Sequence, residues 1–276
     1  MVAVIPPFVD VAWWQEHRAA VVLVDVRWYL DGRNARDAYD GGHLPGAVFA
    51  DLDRWLAAPG SPGAGRHPLP DPAVFAQGMG RLGIGDEDTV VAYDDAGGVI
   101  AARLVWMLRC TGHAAAVLDG GLAAYEGPLE QSGPVRTPAT FTPVPWPADR
   151  LADIDAAADP SYTVLDARDR DRYRGDLEPI DPRPGHIPGA HSLPCREHLD
   201  DAGRMLPVDV LRRRFADVGA GDGTSVISYC GSGVTACHSL LALEHAGLGH
   251  GRLFPGSWSQ YSHDAARPAA TGDAPR

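Results

Sequence analysis

Cysteine is scarce in this sequence: Cys110, Cys195, Cys230 and Cys237 are the only four among 276 residues. They are too few and too scattered for a disulfide framework, and none forms the close C-x-x-C pair of a zinc site. Basic residues are also in deficit, with 24 Lys and Arg against 36 Asp and Glu and a formal charge of -12. That balance works against nucleic acid and anionic lipid as partners, because phosphate recognition needs clustered cations. No apolar run approaches the ~18 residues of a membrane span, and the start, "MVAVIPPFVDVAWWQEHRAA", has no basic region ahead of a long apolar stretch. A cytoplasmic protein is expected. With 45% hydrophobic and 22% charged residues over this length, the chain reads as soluble, globular and two-domain.

What is present is a duplication. "VVLVDVR" (21–27) recurs as "TVLDAR" (163–168), and "GHLPGAV" (42–48) as "GHIPGAH" (185–191). Further on, "TVVAYDDAGGVIAARLVWML" (89–108) lines up with "SVISYCGSGVTACHSLLAL" (225–243), and "VLDGGLAAY" (117–125) with "RLFPGSWSQY" (252–261). Order and spacing are kept, so the halves are repeats of one unit. Between them the stretch 126–149 carries proline after proline from Pro128 to Pro147, which rules out a helix or a central strand there. The expected organisation is a first domain over 1–126, a proline-rich linker over 127–149 and a second domain over 150–276. In each half, short β-branched runs alternate with amphipathic segments such as 99–111 and 234–246. This is an α/β pattern with a mainly parallel sheet, whose ligands gather beyond the carboxyl ends of the strands.

Cys230 stands at one of those ends. The loop Cys230-Gly231-Ser232-Gly233-Val234-Thr235 follows the strand-like "SVISY" and enters a helix. Its backbone N–H groups would form an anion-binding nest that favours a thiolate, with Gly231 and Gly233 letting the backbone come close. Alternatively Cys230 is a small buried hydrophobe. Its counterpart in the first half is Asp94, and a carboxylate does not replace a core cysteine, so the position faces polar surroundings. A cysteine phosphatase would need an arginine six positions on to grip phosphate, and that position is Ala236.

On "CGSGVTA", "GHIPGA" and the doubled architecture, the chain resembles the tandem-domain sulfurtransferases, the rhodanese and 3-mercaptopyruvate sulfurtransferase family, over nearly its whole length. The resemblance implies two rhodanese-like domains, each a mainly parallel sheet flanked by helices, with a silent first half and an active site in a cleft between the halves. It implies ping-pong transfer in which Cys230 takes sulfur from a small anionic donor, becomes a persulfide, and passes the sulfur to a thiol or cyanide. A thioredoxin-like reductant is a candidate acceptor, and no metal or organic cofactor is required. The donor expected is 3-mercaptopyruvate. A thiosulfate-using rhodanese and a persulfide carrier or docking protein without turnover are the alternatives.

Within that resemblance, Ser232 is placed to exchange a proton with donor or product, while Thr235 caps or shapes the loop. Arg172, before Tyr173, matches the family's donor-binding arginine, and Arg183 is the counterpart of a second one in a shorter segment than the family's. A solvated charge run is the alternative for these and for Arg174. His43 and His186 sit in equivalent "GHxPGA" turns: a backbone hydrogen bond is expected for His186, and donor binding for His43. Asn34 stands where relatives carry an aspartate. Trp258 is expected to pack, as are Cys110, Cys195 and Cys237.

Overall fold

The computed structural model describes residues 5–221 and 225–275. Met1–Val4, the start of the stretch read above for a targeting signal, therefore lie outside the described residues. Two compact units form. The first holds the chain up to Ala58 together with Pro70–Trp146 and Leu199–Met205, and the second holds Pro59–Leu69, Pro147–His198 and the chain from Leu206 onward.

The first unit is built on β1 (Phe8–Val9), β2 (Val21–Asp25), β3 (Val48–Phe49), β4 (Thr89–Tyr93) and β5 (Ala115–Leu118), with α1 (Val11–His17), α2 (Ala35–Gly41), α3 (Pro72–Arg81) and α4 (Ala102–Cys110). Its strands pair in the order β1-β5-β4-β2-β3, all parallel. Both faces are covered, which is why β2 and β4 read as continuous apolar runs rather than as alternation. Asn34, far from an acid–base role, caps α2 by accepting from the N–H groups of Arg36 and Asp37 at 2.8 and 3.2 Å.

The second unit carries β6 (Thr163–Asp166), β7 (His191–Ser192), β8 (Val226–Tyr229) and β9 (Arg252–Leu253), with α5 (Arg170–Arg174), α6 (Val208–Asp217), α7 (Ala236–His245) and α8 (Ser257–Tyr261). These strands are again parallel, in the order β7-β6-β8-β9. A single bridge from Leu151 to Leu253 stands where β1 meets β5 in the first unit.

The duplication reaches individual side chains. At the end of β2 the buried Arg27 pairs with Asp25 at 2.8 Å and donates to Gly42 O at 2.8 Å, while after β6 Arg168 pairs with Asp166 at 2.6 Å and donates to Gly185 O at 2.7 Å. Each pair ties a central strand to its glycine–histidine turn. A buried ion pair of this kind is tolerable because the guanidinium also donates to a carbonyl oxygen.

Two segments depart from the boundaries read along the chain. The proline-rich stretch expected as a linker is bound to the first unit as far as Trp146: Glu130 and His43 exchange backbone hydrogen bonds at 2.9 Å, Ala139 N donates to Gly80 O, and Trp146 Nε1 donates to Pro70 O. Proline denies this stretch a ladder of its own, so its remaining donors find partners on the unit beside it. The other departure is the strap Pro59–Leu69, which lies early in the sequence but belongs to the second unit. Among the described residues no helix is long and apolar enough to cross a membrane.

Candidate active site

Strand β8 ends at Tyr229, and the six residues Cys230–Thr235 turn the chain into α7. Cys230 is 2% exposed. Its sulfur accepts the Gly233 N–H at 3.1 Å, its own N–H donates to Ser257 Oγ at 3.2 Å, and its carbonyl accepts from Trp258 N at 3.0 Å. Gly233 has φ +77°, and a Cβ there would fall 2.5 Å from Pro255 O, so only glycine fits. Val234 is buried.

Thr235 differs from expectation. It has helical backbone angles and makes no cap hydrogen bond. Its hydroxyl is instead hydrogen-bonded to the thiol of Cys195, which burial pushes up to about 12. Cys237 donates to Gly233 O at 3.4 Å and Cys110 to Met107 O at 3.3 Å, the behaviour of packed thiols.

Ser232, 8% exposed, shares a 2.7 Å hydrogen bond with His67 Nδ1. That histidine comes from the strap, which is locked in place: Ser61 and Gly65 bridge each other, Arg66 N donates to Ser259 Oγ at 3.0 Å, and Gln260 Nε2 donates to Gly63 O at 2.7 Å. A Cβ on Gly65 would fall 2.5 Å from Gly256 O, which shows how closely the strap is pressed on the turn before α8.

The cation expected from α5 is at the loop. A Cβ on Gly231 would lie 3.2 Å from Arg172 Nη1. The same guanidinium is held from behind by Glu178 at 2.6 Å and Asp181 at 2.9 Å, and Arg168 also reaches Glu178 at 3.3 Å. Burial pushes the Asp181 carboxyl up, while the guanidinium groups of Arg66 and Arg172 pull it down.

Two other expected site residues are elsewhere engaged. Arg183 donates to the carbonyls of Ser262, Arg267, Tyr261 and Asp264 at 2.7–3.0 Å and so braces the segment after α8. With four of its five N–H groups committed to backbone carbonyls, it acts here as a structural brace. His43 is fully buried, stacks on Tyr39 at 3.9 Å and bonds Tyr39 O through Nδ1 at 2.8 Å. His186 repeats this with Tyr173 at 3.7 and 2.8 Å. The two histidines therefore share one set of structural contacts, the backbone hydrogen bond and the stacked tyrosine. Arg174 pairs with Asp171 and Asp176 on the surface, and Trp258 is wholly buried, donating to Arg183 O at 2.9 Å.

The reading along the chain missed His67, Arg66, Ser257, Glu178 and Asp181. A signal for the first two existed: "GAGRHPLP" (63–70) before α3 recurs as "DAGRMLP" (201–207) before α6, with the histidine present in the first copy only. The arginine recurs as Arg204, whereas His67 stands where the second half has Met205, which marks a position doing something the repeat itself does not need.

The family model of the rhodanese-like domain matches residues 10–127 and again 148–264. A Pseudomonas aeruginosa protein whose name specifies 3-mercaptopyruvate sulfurtransferase is 43% identical over 267 residues, spanning 92% of this chain and 93% of that one. A Mycobacterium tuberculosis protein whose name specifies thiosulfate sulfurtransferase is 40% identical over 262 residues, spanning 92% of each. Among solved structures, the 3-mercaptopyruvate sulfurtransferase from Leishmania major superposes with a TM-score of 0.86 at 33% identity, over 96% of this chain and 76% of that one. With both halves matched and the cysteine loop, its helix and its strap in place, the chain belongs to the tandem-domain rhodanese family of sulfurtransferases.

Proposed function

We propose that the enzyme takes sulfur from 3-mercaptopyruvate onto Cys230 and delivers it to a thiol or to cyanide, with a thioredoxin-like reductant among the acceptors and a cytoplasmic setting. The observation that carries this reading is the Cys230 sulfur under the Gly233 N–H at 3.1 Å, beside a Ser232–His67 hydrogen bond of 2.7 Å. The Cys230 thiolate attacks the donor sulfur, an S–S bond forms, and the C–S bond breaks with its electron pair leaving on carbon as an enolate. The enolate takes a proton and departs as pyruvate. Ser232 is the group placed to serve the donor's carbonyl oxygen and that proton, and His67 orients its hydroxyl. The acceptor thiolate or cyanide then attacks the outer sulfur and the Cys230 thiolate leaves. No metal or organic cofactor enters any step.

Charge favours mercaptopyruvate over thiosulfate. Arg66, Arg168 and Arg172 are matched by Asp166, Glu178 and Asp181. A dianion added to a balanced cluster leaves excess negative charge, whereas a single carboxylate with a neutral carbonyl asks less of it. The relatives' names divide between the same two donors, so the decisive experiment is initial rates with each at matched concentrations. Mercaptopyruvate is expected to have the higher kcat/KM, with a one-sulfur mass gain on Cys230 after donor treatment. Equal or better use of thiosulfate overturns the donor, and absence of the mass gain with both overturns the mechanism.

A further inference from the structure

Two guanidinium groups, not one, stand over the residue that follows Cys230. A Cβ on Gly231 would lie 2.9 Å from Arg66 Nη2 as well as 3.2 Å from Arg172 Nη1, so glycine at 231 leaves the space between two cations open. The two arginines hold each other at this spacing through one carboxylate: Asp181, 1% exposed, accepts from Arg66 Nη1 through one oxygen and from Arg172 Nη2 through the other.

The N–H groups that remain are the ones at Gly231. Asp181 is the sole side-chain hydrogen-bond partner of Arg66 among the described residues, leaving Nη2 uncommitted. Arg172 spends Nε and Nη2 on Glu178 and Asp181 and keeps Nη1. Two uncommitted donors that both approach the Cβ position of Gly231, on partly exposed side chains, form a fork for a carboxylate. Arg183, by contrast, spends four of its five N–H groups on carbonyl oxygens. The strap also fixes the Arg66 backbone through Ser259 Oγ, so the cation is held ready before any donor arrives.

We propose that Arg66 is a second donor-binding residue, which with Arg172 grips the carboxylate of a short 3-mercapto-2-oxo acid across Gly231, while Asp181 sets the spacing of the pair. The proposal rests on the sulfur-transfer reading above. It assigns to the strap, rather than to the segment after α5, the second cation of the donor site.

The test compares 3-mercaptopyruvate with mercaptoacetone, which has the same sulfur, methylene and carbonyl but a methyl group in place of the carboxylate. In wild type the carboxylate should be preferred. Arg66→Ala should raise KM for 3-mercaptopyruvate roughly 10- to 100-fold, change kcat little, and leave mercaptoacetone kinetics as they were. Arg66→Lys should restore part of the preference through its charge. If Arg66→Ala is unfolded by circular dichroism, Arg66→Gln decides by the same two-donor comparison. Equal losses on both donors mean a bracing role and overturn the proposal, as does no change on either. A wild type that gains no sulfur from either donor overturns the transfer reading and this inference together.

Discussion

The loops after β4 and β8 are copies of one turn put to opposite uses. In the first, Asp94 is wholly buried and its carboxylate accepts the N–H groups of Ala96, Gly98, Ile100 and Ala101 at 2.7–2.8 Å. Burial pushes this carboxyl up and the four N–H groups oppose that shift. In the second, the shorter loop points one N–H, from Gly233, at the Cys230 sulfur. Oriented N–H groups at such a turn favour a negatively charged acceptor. The first half fills its turn with its own carboxylate, which makes it a structural knot; the second holds the Cys230 sulfur beneath the Gly233 N–H.

The largest effect should come from moving the first loop's occupant into the second. Cys230→Asp is expected to abolish sulfur transfer from every donor to every acceptor, because a carboxylate cannot carry sulfur, while the chain stays folded. Residual persulfide formation by mass spectrometry, with Cys110, Cys195 and Cys237 also replaced, would assign the chemistry elsewhere. The reciprocal change tests the knot. Asp94→Ala removes the acceptor of four N–H groups, three of them buried, and should cost about 3 kcal/mol or more, read as a lower midpoint in urea denaturation. A cost below about 1 kcal/mol would mean water replaces the carboxylate without difficulty.

The same contrast shows what a sequence can disclose. Repetition exposed the strands, the glycine–histidine turns, the linker's lack of regular structure and the position of Cys230, because each depends on local residues that recur. It could not disclose that His67 meets Ser232 across 165 positions of chain, or that Arg66 meets Asp181 across 115. Pairings at that separation are decided by where a whole strap packs, and no local pattern encodes them. Arg172 and Arg183 look alike in a charged stretch, yet one stands at the loop and the other braces the carbonyls of 261–267. What separates them is which backbone oxygens come near, a property of the folded chain alone.

Acid should separate the two units by a margin of similar size. In the second unit burial pushes His198 down to about 4 and His238 well below its usual range. Both are neutral when folded, whereas in the unfolded chain each protonates near 6.5. The stability tied to their neutral state is complete above that value and is lost as pH falls toward 4, with a slope of about 1.4 kcal/mol per pH unit for each histidine. Urea midpoints between pH 7 and 5 should therefore fall, and His198→Leu should flatten the decline. A decline unchanged in that variant would place the acid sensitivity in the carboxylates instead.

The smallest effect tests the turn that closes each loop from above. Leu122 N donates to Asp94 O at 2.8 Å in the first unit, and Trp258 N donates to Cys230 O at 3.0 Å in the second. The residue before each donor sits in the left-handed region: Gly121 at φ +57° and Ser257 at φ +53°. Ser257 is the only non-glycine residue with positive φ among those described, and a side chain there costs about 1–2 kcal/mol. Its hydroxyl offsets this by accepting the Cys230 N–H at 3.2 Å and donating to Phe254 O at 2.9 Å. Ser257→Gly removes strain and hydrogen bonds together, so its stability should stay within about 1 kcal/mol of wild type. Ser257→Ala keeps the strain and loses the bonds, so it should fall below the glycine variant by about 1–2 kcal/mol. Both variants should transfer sulfur more slowly, since the N–H of the nucleophile's own residue loses its acceptor. If alanine proves as stable as glycine, the left-handed turn carries no strain, and serine stands at 257 only for the hydrogen bond it makes beneath Cys230.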